Sequence, residues 1–162
     1  MAFFGGAIME NIVLDSVDLK ILRLVQGDAG LSIAELAERV GLSQTPCWKR
    51  LKRLEAEGVI RGRAVLLDQD KLGLSLTVFV TVRTNRHDAE WLEAFGAGVA
   101  ALPQVVEFFR LAGEADYLLK VIVKDIAAYD AFYKTLIQVA PLADVSSSFA
   151  MERIKWTPAL PI

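Results

Sequence analysis

The chain has 162 residues, of which 54% are hydrophobic and 23% charged, and its formal net charge is −2. That length allows one large or two small domains with a sizeable core, and no apolar run reaches the ~18 residues of a membrane span. The acidic total excludes a protein coated in nucleic acid, so any DNA contact must be local, and a single cysteine excludes an intramolecular disulfide, which fits a reducing cytoplasm.

The opening MAFFGGAI lacks the basic start and cleavage site of a signal peptide. Residues 1–12 are expected to form a disordered extension, with Met9 as an alternative start. Regular patterning begins at Leu14. Asp15-x-x-Asp18 resembles a helix cap and leads into Ile21, Leu22 and Val25, a first helix ending near Gln26-Gly27. Ser32-x-x-Glu35 is a capping box that opens a short helix with Ile33, Leu36, Ala37 and Val40 inward, and Gly41-Leu42-Ser43 turns the chain.

The next helix runs from Ser43 as N-cap to Gly58 as stop, with Pro46 in its first turn. Cys47, Leu51 and Leu54 fall at i, i+4 and i+7 and make a narrow apolar stripe, so Cys47 reads as a core residue rather than a redox or metal group. Gln44, Thr45, Trp48, Lys49, Lys52 and Arg53 point elsewhere, with Arg50 at the edge. Between Lys49 and Arg63, six Lys/Arg stand against Glu55 and Glu57, a local charge of +4 in an acidic chain. Short helix, glycine turn and longer basic helix make the helix-turn-helix pattern, in which first-turn groups reach base edges and later Lys/Arg neutralise phosphates. Val59–Leu67 reads as a strand pair or wing leading into a linker at 66–72, so the DNA-binding domain is expected over 13–65.

The second half is expected over 73–162. Ser75–Thr84, Val105–Leu111, Tyr117–Lys124 and Val145–Trp156 read as strands. Asp88–Leu102 and the stretch from Asp125 to Pro141 read as helices, the latter with Ile126, Tyr129, Tyr133 and Leu136 on one face. The order β-α-β-β-α-β is the ferredoxin-like plan, four antiparallel strands with both helices on one side. The fold class is therefore α+β. The uncovered face of so apolar a sheet calls for a second subunit.

These residues carry a family resemblance. Leu14-Asp15-x-x-Asp18-x-x-Ile21-Leu22, Leu36-Ala37-x-x-Val40-Gly41-Leu42-Ser43 and Thr45-Pro46-Cys47-Trp48-Lys49-Arg50-Leu51-Lys52-Arg53-Leu54 resemble the Lrp/AsnC (feast/famine) transcription regulators. So do Ala112-Gly113-x-x-Asp116-Tyr117-Leu118-Leu119 and Phe149-Ala150-Met151-Glu152-x-Ile154-Lys155. The resemblance implies a winged helix-turn-helix domain joined to an effector-sensing and oligomerisation (RAM) domain. It also implies homodimers that assemble to octamers or higher forms, cytoplasmic and nucleoid-associated, binding double-stranded DNA and an amino acid held between dimers, with no cofactor, metal or membrane contact.

On that resemblance the DNA contacts fall on Ser43, Gln44, Thr45, Trp48, Lys49, Arg50, Lys52 and Arg53, with Arg61 or Arg63 helping from the wing. Gln44, Thr45 and Trp48 are assigned to base reading, and Lys49, Arg50 and Arg53 to phosphates; Trp48 packing on the first helix is the competing role. Effector positions map onto Gly113, Asp116, Ile126, Gln138, Phe149 and Ala150, with backbone N–H groups of the Gly113–Asp116 turn for a carboxylate and Asp116 for an ammonium. Gly and Asp are equally ordinary turn residues. Gln138 is polar where the family carries a leucine. Thr45–Glu55, Ser147–Ile154 and the final Leu160-Pro161-Ile162 look closest to the branch linked to cysteine detoxification, which implies cysteine as effector, with leucine or another hydrophobic amino acid as the alternative.

An enzyme is disfavoured: the one histidine, His87, stands among polar residues, and no Ser/His/Asp or Cys/His set, phosphate loop or metal-spaced cluster accompanies it. A ligand-independent DNA-organising protein is the other alternative. It would share the helix-turn-helix, but sequence-independent binders are usually more basic than this chain.

Overall fold

In the computed structural model, which describes residues 12–162, the chain builds two separate hydrophobic cores. The expectations for residues 1–11 lie outside the described residues. One unit runs up to Val65 and also takes in Lys155–Ile162; the other is Leu66–Ile154.

The first unit is a trihelical bundle: α1 (Ser16–Gly27), α2 (Ile33–Val40) and α3 (Gln44–Ala56). Both capping boxes form. Asp15 accepts from the backbone N–H groups of Val17 and Asp18, while Asp18 reaches back to the Asp15 N–H; Ser32 and Glu35 repeat the exchange on α2. Gly41 takes the left-handed conformation (φ 75°) that ends α2 and aims the chain at α3. Ile21, Leu22, Leu36, Ala37, Val40, Cys47, Leu51 and Leu54 close the core. Val59 and Ile60 pack onto it, Ile60 donating its N–H to the Leu54 carbonyl at 3.0 Å.

The expected wing strands are not present among the described residues. Val59–Leu67 forms no strand, and Val65, Leu66 and Leu67 are exposed. A strand exists only through a partner ladder, and residues 59–67 enter none.

The second unit has the expected order: β1 (Leu76–Arg83), α4 (Ala89–Ala100), β2 (Val105–Arg110), β3 (Tyr117–Val123), α5 (Ile126–Val139) and β4 (Asp144–Phe149). The strands form one sheet in the order β2-β3-β1-β4, antiparallel throughout. Val78, Val80 and Val82 alternate inward on β1 with Leu119 and Val121 on β3, beneath Trp91, Phe95 and Val99 of α4 and Tyr129, Phe132 and Leu136 of α5. Phe95 sits at the centre, stacked on Trp91 at 4.8 Å between ring centroids and edge-on to Tyr117 at 5.0 Å.

Two details depart from the sequence reading. The last strand stops at Phe149 rather than continuing to Trp156: Phe149 already pairs with Val78 and the Ala150 N–H goes to the Thr77 carbonyl, so β1 has little edge left to pair. On α5 the buried set is Tyr129, Phe132 and Leu136, while Ile126 is 70% exposed, because the helix starts beyond the rim of the core.

The last residues, Lys155–Ile162, group with the first unit. Gln26 of α1 donates to the Leu160 carbonyl and accepts the Leu160 N–H, both at 3.0 Å, and Arg23 Nε donates to the Ile162 carbonyl at 2.7 Å.

Cys47 is fully buried, and burial pushes its thiol pKa up. Because the thiolate is the nucleophile, the native chain should resist iodoacetamide at neutral pH and be alkylated only after unfolding. Mass spectrometry of the native protein checks this; rapid native labelling would place Cys47 outside the core.

Candidate functional site

On α3, Gln44, Thr45, Trp48, Lys49 and Lys52 all stand exposed, while Cys47, Leu51 and Leu54 are buried. Trp48 is 48% exposed, so it is not buried against α1. Ser43 occupies the N-cap position but its hydroxyl makes no capping hydrogen bond. That hydroxyl stands beside Gln44 and Thr45 at the positive end of the helix. Lys52 Nζ lies 2.6 Å from Glu55, and Arg63 lies 3.9 Å from the same carboxylate. Arg61 and Arg63 are exposed on the extended segment that follows.

Arg50 and Arg53 face a different way from their neighbours. Arg50 NH1 donates to Asp15 Oδ2 at 2.6 Å and to Asp18 Oδ1 at 2.8 Å. Arg53 NH2 donates to Asp18 Oδ2 at 2.5 Å. Asp18 is 1% exposed, so both guanidinium groups reach into the bundle toward one carboxylate on α1. Beside the phosphate role expected for them, these two arginines have an intradomain one: a buried carboxylate has to be paired, and their side chains, 33% and 42% exposed, reach it. Sequence reasoning placed Asp18 only as a cap. Its position in α1 gave no sign that it faces Arg50 and Arg53, because their separation in the chain hides the contact. The Asp18 backbone N–H, and after it the Arg50 guanidinium, hold the Asp15 carboxyl below the usual carboxylate range.

The six effector positions fall into separate places within one chain. Ile126, Phe149 and Ala150 lie at the sheet end where β1 begins: Phe149 pairs with Val78, and β3 runs into α5 after Val123 pairs with Leu76. Tyr129 belongs beside them. It is buried, its ring lies 5.2 Å from that of Phe149, and its hydroxyl is hydrogen-bonded to Ser147; apolar spacing had placed it only as core. Gly113 and Asp116 lie at the opposite end of β1, where the Asp116 N–H donates to the Val82 carbonyl at 3.0 Å. Gln138 is near the far end of α5, about 18 Å along the helix from Ile126.

The Asp116 turn is more occupied than expected. One Asp116 carboxylate oxygen accepts the Thr84 N–H at 2.8 Å, and the Asp116 carbonyl accepts from Leu111 at 2.8 Å. Its backbone N–H and that oxygen thus close the turn. Among the described residues there is no group of three or more His, Cys, Asp or Glu that could hold a metal. No helix there is long and apolar enough to cross a membrane.

Comparison with known proteins bears on both halves. A family model described as the Lrp/AsnC ligand binding domain matches residues 77–160, and one described as winged helix-turn-helix DNA-binding matches 14–61. The chain is 52% identical over 151 residues to the DNA-binding transcriptional activator DecR of Escherichia coli, covering 93% of this chain and 99% of that protein. It is 49% identical over 149 residues to the glutamate uptake regulatory protein of Zymomonas mobilis, covering 92% and 91%. An AsnC family regulator from Agrobacterium tumefaciens, 54% identical, superposes with a TM-score of 0.89 over 91% of this chain and 97% of that one. A transcriptional regulator from Neisseria meningitidis in complex with L-Met, 40% identical, gives 0.88 over 92% and 97%.

Asp15 and Glu35 have lowered carboxyl pKa values in the folded chain, Asp15 through the contacts above and Glu35 through Ser32. A depressed folded-state pKa adds stability that is complete above the unfolded value, about 4, and is lost as pH falls through the folded one. The melting temperature followed by circular dichroism should therefore drop as pH falls below about 4. Asp15→Asn should remove part of that acid dependence; an unchanged pH profile in the variant would show that the capping and arginine contacts of Asp15 add nothing.

Proposed function

The chain belongs to the Lrp/AsnC family of transcriptional regulators, and on that premise we propose a sequence-specific cytoplasmic, nucleoid-associated regulator whose assembly and DNA binding respond to an amino acid. The observation that carries the DNA half is the exposed face of α3: Gln44, Thr45 and Trp48 stand together near the helix start, with Lys49 and Lys52 following. A helix presenting polar and aromatic groups first and cations after fits the major groove of double-stranded DNA. Gln44, Thr45 and Trp48 read bases. Ser43, Lys49 and Lys52 meet phosphates, with Arg61 and Arg63 supporting from the segment beyond.

Assembly is supported by the sheet. Its helix-free face carries Phe79 and Phe109, 40% and 48% exposed, with Leu118 and Ile122 half-buried beside them. Two copies joined by such faces form a symmetric pair, and two α3 helices then reach half-sites about 34–36 Å apart or a multiple of that. Dimers assemble further to octamers or higher forms.

The effector half rests on the split of the six positions. Within one chain Gly113, Asp116 and Gln138 are remote from Ile126, Phe149 and Ala150, so a ligand touching both sets bridges copies. An amino acid suits the chemistry, with the remaining Asp116 oxygen for its ammonium and Ile126 and Phe149 for an apolar side chain. Cysteine is the effector we favour, from the resemblance to the cysteine-detoxification branch. The bound L-Met of the Neisseria relative shows a sulfur amino acid in a regulator of this shape. Leucine or another hydrophobic amino acid is the alternative.

Lys49→Ala should weaken binding to every duplex and lower the salt slope by about one, whereas Gln44→Ala should cost about 1–3 kcal/mol at a preferred site and little elsewhere. Identical behaviour of the two variants in fluorescence anisotropy titrations overturns this division of labour. A thermal-shift screen of amino acids, read beside light scattering, tests the effector: a ligand at about 100 times its Kd stabilises by ~2.7 kcal/mol. Cysteine alone shifting both melting point and assembly size supports the proposal. A shift by another amino acid moves the effector, and no shift at all makes this a ligand-independent DNA organiser. Phe79→Glu should reduce the particle size by light scattering; unaltered assembly would place the subunit contact elsewhere.

A further inference from the structure

We propose that Asp18 is a specificity-determining positioning residue for DNA recognition: it keeps Arg50 and Arg53 off the phosphate backbone and fixes the rotation of α3 about its own axis. The inference rests on α3 being the DNA-facing helix, and on the geometry of four side chains.

Arg50 and Arg53 are three apart on α3, neighbours on its surface, and each sends one guanidinium nitrogen to a different oxygen of the same carboxylate, at 2.8 and 2.5 Å. Asp18 is itself fixed. It lies 1% exposed in the first turn of α1, and its Oδ2 also accepts the Asp15 N–H at 3.1 Å. Two tethers from adjacent points of a helix to one fixed anchor remove its freedom to roll. Rolling is the motion that would carry Gln44, Thr45 and Trp48 away from base edges.

The charge consequence runs in the same direction. Lys49, Arg50, Lys52 and Arg53 would make a strongly cationic helix. The arginines, however, are matched by Asp15 and Asp18 and Lys52 is paired with Glu55, while Lys49 stands exposed on the side offered to DNA. Each phosphate neutralised adds about 0.9 to the salt slope and supplies affinity without sequence information. Holding two cations inward therefore lowers binding to unrelated DNA more than binding to the preferred site. The arginine side chains are 33% and 42% exposed, so release from Asp18 sets them free at the DNA surface rather than leaving them buried.

The test uses the full chain with Asp18→Asn, which keeps the shape and an acceptor for the Asp15 N–H but removes the charge. The probes are a duplex selected by the unaltered protein from a random pool and a scrambled duplex of the same composition, each titrated across a salt series. The expected result is tighter binding of the scrambled duplex at low salt, a salt slope steeper by roughly one to two units, and a specific-to-scrambled affinity ratio reduced about tenfold. Equal loss of affinity for both duplexes with an unchanged or shallower slope overturns the proposal. Removing one partner of a buried ion pair destabilises a fold, so circular dichroism melting accompanies the binding data. Arg53→Gln provides a second route should Asp18→Asn fail to fold. Here the salt slope should stay constant while the affinity ratio falls; a slope lowered by about 0.9 would put Arg53 on a phosphate and overturn the proposal. If the unaltered chain selects no duplex from the pool, the assignment of α3 to DNA falls instead.

Discussion

A carboxylate taken out of water has to be paired, and in the trihelical unit that requirement is met across two helices. Asp18 leaves solvent because α1 packs its face into the bundle; the first turn of α1 supplies one hydrogen bond and α3 supplies two guanidinium groups. The pairing is not a neutral choice, since ion pairs at such depth seldom add net stability over apolar packing. What it adds is orientation. Leu51 and Leu54 seat α3 on the core but tolerate small rolls, whereas a two-point charged contact does not. The outward set on α3 is therefore defined from inside the bundle.

The second unit meets the opposite constraint. Its sheet is covered on one side by α4 and α5, with aromatic rings filling the centre around Phe95. Its other side exposes Phe79 and Phe109. A surface of that kind is satisfied by association, and the effector positions are divided between opposite ends of the same sheet. Under the proposed function, subunit contact and ligand contact are physically linked: whatever draws the two ends from different copies together also acts on how copies meet.

Much of this was legible in the sequence because it depends on local rules. Capping boxes at Asp15 and Ser32, a left-handed glycine at Gly41 and the i, i+4, i+7 stripe of Cys47, Leu51 and Leu54 name the helices and their buried faces outright. Period-two alternation did the same for β1 and β3. What was not legible depends on partners distant in the chain. Sequence gives the charge of Arg50 and Arg53 but not their direction, since Asp18 lies more than thirty positions away. The wing read at 59–67 and the long final strand both failed on pairing: extended, β-prone residues form strands only where an edge is available. The Asp116 turn looked open because its engagement with Thr84 and Val82 crosses between strands.

The exchange between Gln26 and Leu160 sets an order of events during synthesis. The residues are 134 positions apart, and everything in between includes the whole of the second unit. At about 5–20 residues per second the outer side of α1 waits roughly 7 to 27 seconds for its last layer. The three helices and their core assemble early, from neighbours in sequence. Arg23 and Gln26 meet their backbone partners only when the ligand-binding domain has left the ribosome. The trihelical unit is thus the first part of the molecule to form and the last to be finished.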